Sequence, residues 1–202
     1  MNTITPLDLE EHIQRYMAVN SGFEHTRPYL SISHVAGCPH RAAREFRDGF
    51  EENPEVLRMC YAGYDQERSV RSILLALGVL QSFEVTHVVA PFDKRLQGHP
   101  DGITTDGQVI EIKSVSRKKF ERIQNDGRAL FEHFAQVQLY LRYANLLSAL
   151  IIYRCRETYE HSVFEISYNP TQADKLEEKA KRILQALDAS TLPACECGKC
   201  KG

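Results

Sequence analysis

The hydrophobic positions change period along the chain, and its early part has helical spacing. Apolar residues recur at Leu7, Leu9, Ile13 and Met17, and a leucine-rich stripe follows between residues 55 and 80. Apolar residues three or four positions apart line one face of a helix. The pattern predicts helices over residues 6–19, 31–48, 55–80, 130–147 and 171–187. Asn169-Pro170 is typical of a cap and first helical turn, so it marks the start of the last helix.

From Phe83 onwards the period is two, with Phe83, Val85, His87 and Val89 alternating with their neighbours. Such alternation is typical of a half-buried strand. We expect strands over residues 83–89, 98–104, 108–114, 148–154 and 162–168. Asp106-Gly107 favours a hairpin between two of them. Helices, a three-strand meander, a helix, two strands and a helix predict a mixed α/β sheet with helices on both faces.

Composition narrows the class of protein without deciding its function. The chain has 202 residues, 43% of them hydrophobic and 26% charged, which suits one globular domain or one domain with an appendage. No apolar run has the roughly 20 residues that span a bilayer, and the first residues lack a secretory signal's apolar segment. We therefore expect a cytoplasmic location and no membrane partner. A net charge of −2 is not that of a protein that coats nucleic acid through its overall positive charge. It is compatible with a protein that has a local basic groove.

Two carboxylates and an amine lie close together in the predicted hairpin. Glu111 and Lys113 are two apart on one strand and so share a face, while Ile110 and Ile112 point to the other. If Asp106-Gly107 closes a hairpin, Asp101 returns beside Glu111. The three groups then meet at one place.

This trio suits metal-dependent hydrolysis of a phosphodiester. The carboxylates of Asp101 and Glu111 and the backbone carbonyl of Ile112 are hard oxygen ligands for Mg²⁺ or Mn²⁺. Lys113 is a candidate to orient or deprotonate the attacking water, or to neutralise charge on the phosphate. The competing interpretation is a simple ion pair on a strand face, since E-x-K triplets are common by chance.

The pattern P-D-(nine residues)-E-I-K resembles the signature of the PD-(D/E)XK nuclease superfamily, and further motifs resemble its RecB-like branch. Gly63-Tyr64-Asp65-Gln66-Glu67 is similar to the branch's first-helix motif, with Glu67 where many members have a metal-binding histidine. Gln136 and Tyr140 match the Q-x-x-x-Y motif that follows the catalytic strand. The resemblance implies Glu67 as a further metal ligand and Gln136 and Tyr140 as active-site residues. Packing on one helix face is the plainer explanation of the last pair.

Four of the six cysteines suggest a second metal site. Cys195, Cys197 and Cys200 crowd into six residues near the end of the sequence, and Cys38 can supply a fourth ligand. Four thiolates suit a [4Fe–4S] cluster or Zn²⁺, against the alternative of free thiols on a disordered tail. Resemblance to the iron–sulfur exonucleases of the RecB-like branch implies the cluster, although C-x-C-x-x-C is tighter than their usual spacing. Cys60 and Cys155 fit buried core thiols.

The same resemblance divides the chain into three parts. We expect an N-terminal helical region over residues 1–60 with one cluster cysteine, a nuclease core over 61–190, and a cysteine-rich tail over 191–202.

The basic run of Arg117, Lys118 and Lys119 is a candidate DNA contact, or equally a solvated face. Tyr61, Tyr64 and Phe120 are candidates to stack on unpaired bases if they are exposed.

The expected function is a divalent-metal-dependent exonuclease acting on single-stranded DNA or DNA ends. In the resembling families such enzymes serve recombination, phage DNA processing or CRISPR adaptation, which implies a recombination protein or an integrase as partner. A first alternative is a DNA-end or partner-binding module with weakened catalysis, because Glu67 replaces histidine. A second is a restriction-type endonuclease stapled by zinc.

Overall fold

The computed structural model describes residues 6–20, 28–49, 53–80, 82, 86–198 and 200. Its helices are α1 Pro6–Val19, α2 Ile32–Val35, α3 Pro39–Asp48, α4 Pro54–Ala76, α5 Arg117–Asp126, α6 Phe131–Ala144 and α7 Pro170–Asp188. Its strands are β1 Leu30–Ser31, β2 Val88–Val89, β3 Leu96–Gly98, β4 Gly102–Ile103, β5 Val109–Val115, β6 Ser148–Cys155 and β7 His161–Ser167. No helix in this described part has the length and apolar character of a membrane-spanning segment.

The main sheet has the order β4-β5-β6-β7 and mixes both directions of pairing. β4 and β5 form an antiparallel hairpin, β5 and β6 run parallel, and β6 and β7 are antiparallel. The parallel pair needs a long crossover, which α5 and α6 provide. A second sheet of short strands, in the order β1-β3-β2, lies beside it.

Helices cover both faces of the main sheet, as the hydrophobic pattern predicts. One face carries the larger core, which includes Val109 and Ile151 from the strands and Leu139 from α6. The other carries a smaller core in which Ile110 and Val70 take part, so α4 packs there. The predicted fold class, a mixed sheet between helices, is confirmed.

Local sequence signals explain where several helices begin and end. Asn53 caps α4 by accepting a hydrogen bond from the Glu55 backbone, with Pro54 in the first turn. Asn169 caps α7 in the same way, confirming the start predicted there. Helix α4 ends at Ala76, four residues before the predicted end, because Gly78 adopts a left-handed conformation with φ of 71°.

Three predicted elements are wrong in detail. The helix expected over residues 31–48 is divided, because Pro39 starts a new helix after a break at Gly37 and Cys38. The strand expected over 98–104 is two short strands in different sheets, so no single three-strand meander forms. The strand expected over 83–89 is described as a strand only at Val88–Val89, and residues 83–85 lie outside the described residues.

Candidate active site and metal centre

Asp101 lies at the point where β5 loses its partner strand. Strand β4 pairs only with Val109 and Ile110, so no strand within the described residues covers the rest of that edge of β5. Asp101 donates its backbone N–H to the Ile110 carbonyl at 3.0 Å, and its Oδ2 accepts from the Ile112 backbone N–H at 2.5 Å. The N–H and C=O of one strand residue point to the same edge, so the Ile112 carbonyl also faces the side of Asp101.

Glu111 and Lys113 project from one face of β5, as their spacing predicts. Lys113 Nζ contacts Glu111 Oε1 in an ion pair. The Glu111 side chain is 1% exposed, whereas that of Lys113 is 28% exposed and reaches towards solvent. Among the described residues, Glu111 Oε2 is buried with no hydrogen-bond partner. A buried carboxylate oxygen without a partner is costly, so this atom is suited to a cation.

Glu67 on α4 belongs to the same electrostatic group. It lies 3.6 Å from Arg71 one turn further along the helix. Burial raises the pKa of Glu67, Arg71 lowers it, and the charge of Glu111 raises it again. The structure therefore brings Glu67, Asp101, Glu111 and Lys113 within electrostatic range of one another.

The three carboxyl groups disfavour one another's ionised forms, and Lys113 opposes that effect. Burial, followed by the charges of Glu111 and Glu67, raises the pKa of Asp101 well above its usual range. Burial also raises the pKa of Glu111, against the opposing effect of Lys113. Burial alone would lower the pKa of Lys113, but Glu111 and Asp101 raise it overall. A bound cation would relieve the repulsion among these hard oxygen donors, and oxygen ligands of this kind fit Mg²⁺ or Mn²⁺.

Gln136 and Tyr140 on α6 support the loop that carries Asp101. Gln136 donates through Nε2 to the Tyr140 hydroxyl at 2.9 Å, and that hydroxyl donates to the His99 carbonyl at 3.3 Å. Tyr140 is buried, and burial raises its pKa well above the usual range. The i, i+4 pair therefore holds the chain two residues before Asp101.

Gly98 is a residue of this neighbourhood that the sequence reasoning did not single out. A Cβ added at Gly98 would lie 2.6 Å from Tyr140 Cε1, closer than real contacts allow. The stretch Gly98-His99-Pro100-Asp101 contains the signal, but only the packing of Tyr140 against it shows why glycine is required.

The four predicted cysteines come together at a second place. Sγ–Sγ distances are 3.9 Å between Cys38 and Cys195, 3.6 Å between Cys195 and Cys197, 3.5 Å between Cys197 and Cys200, and 3.7 Å between Cys200 and Cys38. All four sulfurs lie within 4.8 Å of one another, so the group could hold a metal ion. Burial raises the pKa of Cys38, but hydrogen bonds from the backbone of Arg41, Glu196 and Cys197 lower it to about 5.

Comparison with known proteins identifies the fold. The sequence matches no protein-family model and no curated protein. Among solved structures, the alkaline exonuclease LHK-Exo from Laribacter hongkongensis has a TM-score of 0.66 at 16% identity, covering 88% of this chain and 93% of that one. The same enzyme in complex with dAMP has a TM-score of 0.67, with the same identity and coverage. A phage-related exonuclease from Haemophilus somnus 129PT has a TM-score of 0.55 at 13% identity, covering 80% of this chain and 94% of that one.

The chain has the fold of these exonucleases. The PD-(D/E)XK-like architecture expected from the sequence is therefore confirmed. At identities this low the likeness extends to the fold alone. It agrees with the arrangement at β5, where the predicted carboxylates and lysine meet at the open edge of the sheet.

The predicted basic run forms the first turn of α5, a helix the sequence analysis did not predict. Arg117 pairs with Glu121 at 2.8 Å and Lys119 with Glu132 at 3.4 Å, while Lys118 is exposed. Ion pairs at two of the three positions reduce the positive charge available to a phosphate. Phe120, offered for base stacking, is buried in the core at 1% exposure and is excluded from that role.

Proposed function

We propose that this protein is a divalent-metal-dependent DNA exonuclease with its active centre at the open edge of β5. The observation that carries the proposal is the meeting of Asp101, Glu111 and Lys113 where β4 ends, with a buried Glu111 oxygen that lacks a partner among the described residues. The fold shared with known exonucleases supports it.

The ligands proposed for Mg²⁺ or Mn²⁺ are the carboxylates of Asp101, Glu111 and Glu67 and the carbonyl of Ile112. When bound, such an ion polarises the phosphate and lowers the pKa of a bound water. The ammonium of Lys113 lies beside Glu111 and is partly exposed, which suits it to orient the attacking water and to offset negative charge on the phosphate. Gln136 and Tyr140 keep the Asp101 loop in position through the His99 carbonyl.

The substrate we propose is single-stranded DNA or a DNA end. A groove of about 340 Å³ between α1 and α4 is lined by Tyr16, Tyr61, Tyr64 and Arg68, and Tyr64 is 44% exposed. Tyr64 lies one turn before Glu67 on the same helix, so a base stacked there would belong to a strand leading to the active centre. Arg117, Lys118 and Lys119 are the proposed phosphate contacts, with Lys118 the most available of the three.

The biological setting follows from the resemblance to the RecB-like branch. We propose that the protein processes DNA ends in recombination, phage DNA processing or CRISPR adaptation, with a recombination protein or an integrase as partner. LHK-Exo, which has the same fold, binds dAMP, and this supports a nucleotide or DNA ligand for the present site.

The test is cleavage of end-labelled single-stranded DNA with Mg²⁺ or Mn²⁺. Lys113→Ala is expected to lower the rate roughly 10²–10³-fold, the usual cost of removing one transition-state donor. Lys175→Ala, at an exposed lysine on α7, is the matched control and should cleave normally. Equal cleavage by wild type and Lys113→Ala would refute the active centre.

A second function, DNA-end binding with weakened catalysis, is favoured by one observation. Glu67 forms an ion pair with Arg71, so this proposed metal ligand already has a cationic partner. Wild-type protein that binds DNA ends but leaves them uncut with either metal would support this alternative. Recovery of cleavage in Glu67→His would then show that Glu67 limits the reaction.

A further inference from the structure

The sulfur atoms of the four cysteines form a compact tetrahedron. Four of its six edges are 3.5–3.9 Å long, and all six are within 4.8 Å. None of the cysteines is in a disulfide, and these distances are far longer than the S–S bond of about 2.05 Å. The sulfurs are therefore arranged around one small central volume without being bonded to each other.

We propose that this site holds a single tetrahedral ion, Zn²⁺, in place of the [4Fe–4S] cluster that the resemblance implies. Tetrahedral Zn²⁺ binds thiolate at about 2.3 Å, which fixes the sulfur–sulfur edge at ~3.8 Å by geometry. The four sulfur–sulfur edges of 3.5–3.9 Å bracket that value, and the other two are within 4.8 Å. In a [4Fe–4S] cluster each thiolate binds a different iron, so the sulfurs lie outside the cube and are separated by its width. The described tetrahedron leaves no room for that core.

The local sequence builds this geometry from two segments. Cys38 is the N-cap of α3, followed by Pro39 in the first turn, so its position is set by a rigid helix start. In the tail, Gly198 adopts a left-handed conformation with φ of 66°, which lets the chain turn sharply between Cys197 and Cys200. Backbone groups of Arg41, Glu196 and Cys197 hydrogen-bond the Cys38 sulfur, so residues of both segments fix its position.

The surroundings suit the charge of such a centre. Four thiolates around one Zn²⁺ leave a net negative charge, and Arg41 lies close enough to Cys197 and Cys200 to interact with both. Lys179 on α7 pairs with Glu196 at 3.7 Å and donates to the Gly37 carbonyl. Arg41 on α3 is therefore the positive group that acts on the cysteines directly, and Lys179 on α7 contacts the residues next to Cys38 and Cys195.

The role of the ion is structural. Outside the cysteines, the tail is held to α3 by the His40 side chain and the Pro193 carbonyl at 3.0 Å. A closed set of four protein ligands leaves no position for a substrate or water, which is typical of structural rather than catalytic zinc. The binding energy of the ion then contributes to folding by joining residues that are 157–162 positions apart. This inference does not depend on the proposed nuclease activity.

The test is the metal content of native protein purified without oxygen, measured by elemental analysis together with acid-labile sulfide. We expect one zinc per chain, no sulfide and a colourless solution. Co²⁺ added to zinc-free protein should bind at one equivalent with the visible absorption of tetrahedral thiolate coordination, and Zn²⁺ should displace it.

Cys197→Ser should lose the zinc, whereas the matched control Cys60→Ser, in α4 away from the tetrahedron, should keep one equivalent. Brown protein with four iron and four sulfide per chain would overturn the proposal in favour of the cluster. Protein that is folded but binds neither Zn²⁺ nor Co²⁺ would overturn it in favour of free thiols.

Discussion

Gly98 ends β3 three residues before Asp101, and the chain there passes against two buried side chains. A Cβ in Gly98→Ala would lie 2.6 Å from Tyr140 Cε1 and 3.1 Å from Ile32 Cβ. Tyr140 is 2% exposed and its hydroxyl is bonded to Gln136 and to the His99 carbonyl, while Ile32 is fully buried. Neither neighbour has space to withdraw, so the new methyl group must displace the backbone or the ring.

The free energy of unfolding of Gly98→Ala should fall because the added methyl group overpacks a well-packed core. Such overpacking typically costs about 1–3 kcal/mol. For a chain of this size, each kcal/mol shifts the melting temperature by about 2–4 °C, so we expect a fall of roughly 2–12 °C. If the backbone moves, Asp101 moves with it. A misplacement of about 1 Å in a catalytic group can lower the rate ~10²-fold, so cleavage should fall more than stability alone explains.

Thermal unfolding and cleavage of end-labelled single-stranded DNA test this together. Gly63→Ala is the matched control, because Gly63 lies inside α4 with nothing within 4 Å of an added Cβ. That variant should gain about 0.8–1 kcal/mol from helix propensity and keep its activity. A Gly98→Ala protein with the melting temperature and cleavage rate of wild type would show that the Tyr140 contact does not position the loop.

Three other predictions concern separate parts of the molecule. Burial lowers the pKa of His133 to about 3, and its Nδ1 is hydrogen-bonded to the Tyr153 hydroxyl at 2.9 Å. Wild type should therefore lose stability as pH falls from about 6.5 towards 3, and His133→Gln should flatten that loss in a series of melting temperatures. Tyr64→Ala, in the groove between α1 and α4, should weaken binding of single-stranded DNA by about 1–3 kcal/mol in a polarisation assay. Phe92→Ala, at an exposed aromatic residue that does not line that groove, should bind normally. Ile151→Ala, in the fully buried centre of β6, should cost about 2–5 kcal/mol in urea unfolding; a smaller loss would mean that the core there collapses around the cavity.

The long elements of the fold were predictable because their signals are local. The apolar run of β6 and the leucine stripe of α4 bury faces that the sequence shows directly. The small sheet was missed because its strands are two or three residues long and pair across long separations, as Leu30 does with Leu96. Helix α5 was missed because only Phe120 and Ile123 in it are buried, too few for a clear period.

Part of the candidate active site was predictable because its signals are also local in the sequence. The face shared by Glu111 and Lys113 and the return of Asp101 through a hairpin follow from strand geometry. The approach of Glu67 depends on how α4 packs against β5, which no local pattern contains. Tyr140 was expected on the active-site face, but its contact with the His99 carbonyl requires the break between β3 and β4.

The cysteine site and the candidate active centre at Asp101 are connected by elements that pack against one another. Cys38 begins α3, the preceding α2 contributes Ile32 beside Gly98, and β1 pairs with β3 just before the Asp101 loop. A loosened tail would reach the active centre through that two-residue pairing and through the packing of α2 against Gly98 and α6. Helix α6 also holds the same loop directly, through the Tyr140 hydroxyl and the His99 carbonyl. Loss of the cysteine-bound ion should therefore lower the free energy of unfolding first and the cleavage rate second, because these packed elements support the Asp101 loop but supply none of the proposed Mg²⁺ or Mn²⁺ ligands.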